Sequence, residues 1–160
     1  MTDTTSAAAR GSAQIVDFDL SPELAAFQAK ARDFAQTLLP HAAEWDRSAT
    51  YPADALRDAG ERGLLKITIP EAYGGSQLGN LASCLMLEEV NATCPSTGVT
   101  ISVHNSLFCS LLAKWGTEQQ KQAYFPKLAT GEWLGAYCLS EAGSGSDAAA
   151  LRCEAKLDGD

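Results

Sequence analysis

The residues best suited to chemistry stand together at positions 137–148, in the stretch YCLSEAGSGSDA. Gly143 and Gly145 alternate with Ser144 and Ser146, and Glu141 and Asp147 flank them. Glycines remove the side chains that would keep a ligand off the backbone. Consecutive backbone amides in such a turn form an anion-binding nest. Ser144 and Ser146 add hydroxyl donors and Asp147 an acceptor, so the stretch could hold a pyrophosphate or a cofactor edge without any lysine. The same residues also suit a solvated connector between two strands.

Gly143 to Ala148 fit the GxGxxA form of a dinucleotide fingerprint, but that motif needs a strand before it, a helix after it and an acid about 20 residues on. Here AAALRCEAKLDGD turns quickly to alternation instead. The five cysteines, Cys84, Cys94, Cys109, Cys138 and Cys153, are odd in number and contain no CxxC pair. They read as reduced thiols in a cytosol-like compartment. His41 and His104 are too few and too far apart for a metal site, so no metal is expected. Cys109 with His104 could form a nucleophile pair, against the plainer reading of a space-filling thiol beside a helix histidine.

Those residues need a scaffold, and composition bounds it. At 160 residues the chain has room for one domain, or for one and part of another. A chain of this size can bury roughly 70% of its unfolded surface. Hydrophobic residues at 46% and charged residues at 20% fit a globular protein. The formal charge of −8 argues against nucleic acid and against an anionic membrane surface. No apolar run reaches the ~18 residues of a membrane span. The opening MTDTTSAAARGSAQ is small and polar; a transit peptide would carry more arginine and no acid. Residues 1–19 are expected to be a disordered tail, with a mitochondrial presequence as the lesser alternative.

Ser21-Pro22-Glu23 marks a helix start, and Leu24, Phe27, Ala31, Phe34 and Leu38 line one helical face. Pro40 interrupts, and residues 41–49 continue as an offset piece. Pro52 to Leu64 reads as a short helix closed by Gly63. Residues 67–80 read as loop, with Gly74 and Gly75 supplying positive φ. Leu81 to Thr93 is helical, with Leu81, Cys84, Leu85, Glu88 and Ala92 along one side. Residues 96–116 contain the strand-like Val99, Ile101 and Val103, but their length and the closing Gly116 favour a buried helix. Thr117 and Gln120 stand in capping-box spacing for a last helix ending near Gly131. That gives about six helices before the period changes near Trp133. Trp133–Glu141 and Leu151–Asp160 then read as strands. The fold class expected is mainly α, with a helical domain over residues 20–131 and the start of a β domain over residues 132–160.

Taken together, these segments resemble the acyl-CoA dehydrogenase family. YCLSEAGSGSDA resembles its signature [YF]-C-[LV]-[TS]-E-P-x-x-G-S-D. YPADALRDAGERGLL, IPEAYGGSQLG, LEEVNATCPSTGVTISVHNSL and KWGTEQQKQAYFPKLATGEWLGAYCLSE follow the family's order. STGVTISVHNSL looks most like the short-chain members. The resemblance implies a subunit of N-terminal helices, a middle β domain and a C-terminal helical bundle. It implies FAD-dependent α,β-dehydrogenation of a short-chain acyl-CoA, a glutamate base, and electron transfer to an electron-transferring flavoprotein. It also implies a homo-oligomer in the cytoplasm, or the mitochondrial matrix of a eukaryote.

Under that resemblance Tyr137, Cys138, Leu139, Ser140, Glu141, Ala142, Gly143, Ser144, Gly145 and Ser146 match the FAD-binding stretch. Leu139 and Ser140 would meet the flavin ring through a backbone amide and a hydroxyl. Ser146 would lie near the pyrophosphate and the thioester arm of the substrate. Ser140 replaces the commoner threonine and Ala142 the usual proline. Ile101 and His104 would add bulk at the tail of the acyl pocket. The base glutamate is expected beyond Asp160, and Glu88 and Glu89 do not match its motif. A non-catalytic helical binding module and a related acyl-CoA oxidase-type flavoenzyme are the competing readings.

Overall fold

Residues 19–159 are described by the computed structural model; the tail expected over residues 1–19 lies, apart from Asp19, outside them. Ser21 caps helix α1 (Pro22–Leu38): its hydroxyl accepts from the Leu24 amide at 3.3 Å, and Pro22 occupies the first turn, where no N–H is needed. Phe27, Ala31, Phe34 and Leu38 are buried on one face, as their spacing predicts. Two short helices, α2 (Ala42–Ser48) and α3 (Ala53–Glu61), follow. After them Leu64, Leu65 and Ile67 thread through the core with no exposed surface.

In the 67–80 loop only one of the two paired glycines has the expected role. Gly74 adopts φ 82°. Gly75 is needed for space instead, because a Cβ there would overlap the Ile69 carbonyl.

Helix α4 (Gly79–Asn91) packs on α1, and the side along which Leu81, Cys84, Leu85, Glu88 and Ala92 align is not the one it buries. Ala82, Met86 and Val90 are buried, whereas Leu81 and Cys84 are exposed. The helix is apolar on several sides, so periodicity alone does not choose its inner face. Its polar partners on α1 do: Glu89 accepts from Arg32 Nη2 at 2.7 Å and from Gln28 Nε2 at 3.0 Å. Hydrogen bonding to Arg32 is the main cause holding the Glu89 carboxyl below its ordinary range. A depressed folded-state pKa gives stability that is present above the unfolded carboxylate pKa and is lost as pH falls through the folded value. Replacing Glu89 by glutamine should therefore flatten the acid limb of a stability–pH curve, read from urea midpoints, and leave the neutral limb parallel.

Residues 95–115 form one continuous rod: α5 (Pro95–Ser102), a π-helical turn (Val103–Cys109) and α6 (Ser110–Trp115). The wide turn carries two adjacent polar residues, His104 and Asn105, fully inside the domain. Helix α7 (Glu118–Thr130) opens with the expected capping box between Thr117 and Gln120. It ends at Gly131, whose φ of 78° closes the helix. With the 95–115 rod taken as one, the helical count agrees with the sequence reading and the fold is mainly α.

The two expected strands do not form. Among the described residues the segment after Gly131 holds one isolated antiparallel bridge, Glu141 with Ser144, and a 3-10 turn at Ala148–Ala150. A strand is made by ladder hydrogen bonds to a neighbour. The alternation of residues 151–159 meets no such neighbour here.

Candidate functional site

The signature loop hangs from the helical domain by a short, well-anchored lead-in. The Trp133 amide donates to the Lys127 carbonyl at 3.1 Å, and Lys127 Nζ lies 3.2 Å from Glu132 and 4.2 Å from the centre of the Trp133 ring. Two residues on, the Gly135 amide donates to His104 Nδ1 at 3.1 Å. Gly135 also lies against Phe108, so closely that a Cβ would overlap that ring.

From Tyr137 onward the chain organises itself. Glu141 and Ser144 exchange backbone hydrogen bonds of 2.8 and 3.1 Å, closing a tight turn around Ala142 and Gly143. Ser144 is buried, and its hydroxyl donates to the Asp147 carbonyl at 2.8 Å. The Asp147 carboxylate accepts from the Ala149 amide at 3.2 Å. Glu141 reaches across to the returning chain, accepting from the Arg152 amide at 2.9 Å and the Cys153 amide at 3.1 Å. A few named polar groups therefore hold the loop's shape.

This divides the ten sequence-nominated residues into two sets. Glu141 and Ser144 spend their polar atoms inside the loop. Tyr137, Cys138, Leu139, Ser140, Ala142, Gly143, Gly145 and Ser146 are exposed. The Ser140 and Ser146 hydroxyls have no partner among the described residues. The Cβ positions of Gly143 and Gly145 open onto empty space. Free hydroxyl donors beside a backbone stripped of side chains fit the edge of a flat, phosphate-bearing cofactor such as FAD.

Other nominated groups find different places. Ile101 and His104 have no exposed surface and belong to the interior of the helical domain rather than to an open cavity. His104 Nε2 lies 2.9 Å from the Leu65 carbonyl and 3.5 Å from Cys109 Sγ. Burial pushes the Cys109 thiol up to about 12 and the histidine pKa down. A thiol so far from ionising beside a ring already engaged by backbone on both nitrogens is no nucleophile pair. Glu89 is bound to Arg32 and Gln28, and Glu88 is exposed on α4. No cluster of metal-ligating side chains occurs among the described residues.

Sequence reasoning missed Asn105. Its Oδ1 accepts from the Ile67 amide at 3.1 Å, and its Nδ2 donates to the carbonyls of Leu64 at 2.9 Å and Ile101 at 3.1 Å. The available signal was two adjacent polar residues, His104 and Asn105, within an apolar helix.

Independent of the loop, residues 21–132 match the model of the acyl-CoA dehydrogenase N-terminal domain. The chain belongs to the acyl-CoA dehydrogenase family. It is 42% identical over 130 residues to the short-chain specific acyl-CoA dehydrogenase of Bos taurus mitochondria, covering 81% of this chain and 32% of that enzyme. Its fold resembles a chain in a structure of the electron transferring flavoprotein of Acidaminococcus fermentans, with a TM-score of 0.81 and 34% identity over 86% of this chain and 36% of the other. It also resembles the acyl-CoA dehydrogenase of Bacillus anthracis complexed with FAD, with a TM-score of 0.69 and 36% identity over 84% and 23% of the two chains. This acyl-CoA dehydrogenase chain thus spans about a third of the length of curated relatives that it matches. Among the described residues no helix is long and apolar enough to cross a membrane.

Proposed function

We propose that the chain supplies the N-terminal helical domain and one flavin-contacting loop of an FAD-dependent acyl-CoA dehydrogenase acting on short-chain thioesters. The observation that carries this is the exposed loop at 137–146, with free hydroxyls at Ser140 and Ser146 and open space at Gly143 and Gly145. The match to the family model ends at residue 132, before that loop. The short-chain preference rests on the relative from Bos taurus. Residues 132–160 open the β domain in this reading.

The Leu139 amide and Ser140 hydroxyl would face the flavin ring, and Ser146 its pyrophosphate and the thioester arm. When bound, FAD supplies the hydride acceptor that takes the substrate from acyl-CoA to trans-2-enoyl-CoA. This chain's residues orient that acceptor and exclude water from one side. Proton abstraction needs a base within hydrogen-bond reach of the α proton. It is assigned to none of the described carboxylates. Glu141 is tied to two amides and Glu89 to Arg32, so neither is poised for that work. An electron-transferring flavoprotein would take the electrons, and the working protein would be a homo-oligomer.

The protein that carries this chain should retain FAD through gel filtration and turn over butyryl-CoA faster than decanoyl-CoA. Ser140→Ala and Ser146→Ala should each weaken FAD about fivefold, the equivalent of one net hydrogen bond of ~1 kcal/mol. Both side chains are exposed and unpartnered, so thermal midpoints without flavin should stay put. Unchanged FAD affinity in the double variant would rule out the two hydroxyls as flavin contacts.

A further inference from the structure

We infer that His104 is a positioning residue for the flavin-binding loop, fixing its lead-in segment to the helical core through the Gly135 amide. The inference rests on the flavin reading above and adds to it a residue 33 positions upstream of Tyr137 in the sequence.

Three observations support it. First, the bond between Gly135 N and His104 Nδ1 is, among the described residues, the last hydrogen bond joining the helical domain to the chain that continues into the loop. Hydrogen bonds made further on lie within residues 141–153. Second, Gly135 is pressed onto Phe108, so its amide can approach the ring only because the residue has no side chain. Third, the ring itself is oriented from the far side. Nε2 faces the Leu65 carbonyl at 2.9 Å, and Leu65 is held in place by its neighbour Leu64, whose carbonyl accepts from Asn105.

Chemistry then selects one state of the ring. A backbone carbonyl only accepts and a backbone N–H only donates. The Gly135 N–H calls for a bare Nδ1, so Nε2 carries the proton toward Leu65 in the neutral Nε2–H tautomer, with the Leu128 carbonyl also close to the ring. Burial of the ring favours the same uncharged form. The wide π turn places His104 inward beside Asn105, so the two residues together grip the 64–67 segment and the 133–135 segment.

Two side chains separate the functions of the ring. In His104→Asn, Oδ1 sits the same number of bonds from Cα as Nδ1 and keeps an acceptor for Gly135 while losing Leu65. In His104→Gln, the terminal amide reaches the place of Nε2 and keeps Leu65 while losing Gly135. Backbone amide exchange at residues 135–147 of the intact protein should rise about tenfold in the glutamine variant and stay near the parent value in the asparagine variant. The FAD dissociation constant should follow the same order, about tenfold against near unity. Nitrogen NMR of the unsubstituted protein should show an Nε2-protonated ring. An Nδ1-protonated ring, or asparagine and glutamine variants that exchange alike, would overturn the assignment. Exchange that splits as expected while FAD affinity is the same in both would also overturn it as a flavin-positioning role. If the parent protein binds no FAD, the proposed function fails, and the exchange pattern still decides the clamp.

Discussion

Replacing Asn105 by alanine should cost the helical domain about 3–5 kcal/mol, as much as truncating a buried aromatic side chain. The side chain is 2% exposed and makes three hydrogen bonds, all to backbone groups. Removing it leaves the Ile67 N–H and the Leu64 carbonyl buried without partners, at about 1–3 kcal/mol each, and adds a small cavity. Whole domains are stable by only about 5–15 kcal/mol, so this change removes a large share. Asn105→Leu should be nearly as damaging, because filling the volume does nothing for the stranded backbone groups. Ser106→Ala, one residue along, is the control. Its hydroxyl donates to the Ser102 carbonyl of its own rod and its side chain is exposed, so its urea midpoint should barely move. An Asn105→Ala midpoint within error of the parent would show that the 64–67 segment does not depend on Asn105.

Asn105 also shows where a linear reading loses information. Helix α1 was legible because its apolar residues occupy one face and Ser21-Pro22 mark its start. Helix α7 was legible because Thr117 and Gln120 are local to each other. Helix α4 was not: with Leu81, Ala82, Leu85, Met86, Leu87 and Val90 all apolar, the inner face was chosen by α1 through Arg32 and Glu89, 57 positions apart. The π turn was equally hidden, since its reason is the 64–67 segment, which lies 38 residues from Asn105 at the Ile67 contact. The strand reading of 133–141 and 151–160 failed, over the described residues, for a related cause. Alternation says which residues suit a sheet, but only a partner makes one. The candidate loop was legible as a composition, and the resemblance named its cofactor. Which of its polar groups face outward was not legible, because that depends on contacts that Glu141 makes 11 and 12 residues away.

Those contacts set the second large effect. Glu141→Ala should release the return chain at Arg152 and Cys153 and loosen the face that carries Ser140 and Ser146. Both carboxylate oxygens accept backbone N–H bonds, a charge-assisted arrangement stronger than a neutral one. The turn itself should survive, because the Glu141–Ser144 bridge is made by backbone and Ser144 still bonds Asp147. The expected signature is therefore selective. Amide exchange at Arg152 and Cys153 should rise tenfold or more, at about 1.5–3 kcal/mol for each charged hydrogen bond, less where water competes. Exchange at Ser144 should change little, and the helical core not at all. Glu141→Gln should fall between, since its amide keeps one accepting oxygen and turns an NH2 toward the other N–H. Under the proposed function FAD retention should decline in the same order, parent above glutamine above alanine. Faster exchange at Ser144 than at Arg152 in the alanine variant would mean that the backbone bridge, not the carboxylate, depends on Glu141. Equal FAD retention across all three would mean that the loop's return chain has no part in holding the flavin-facing side.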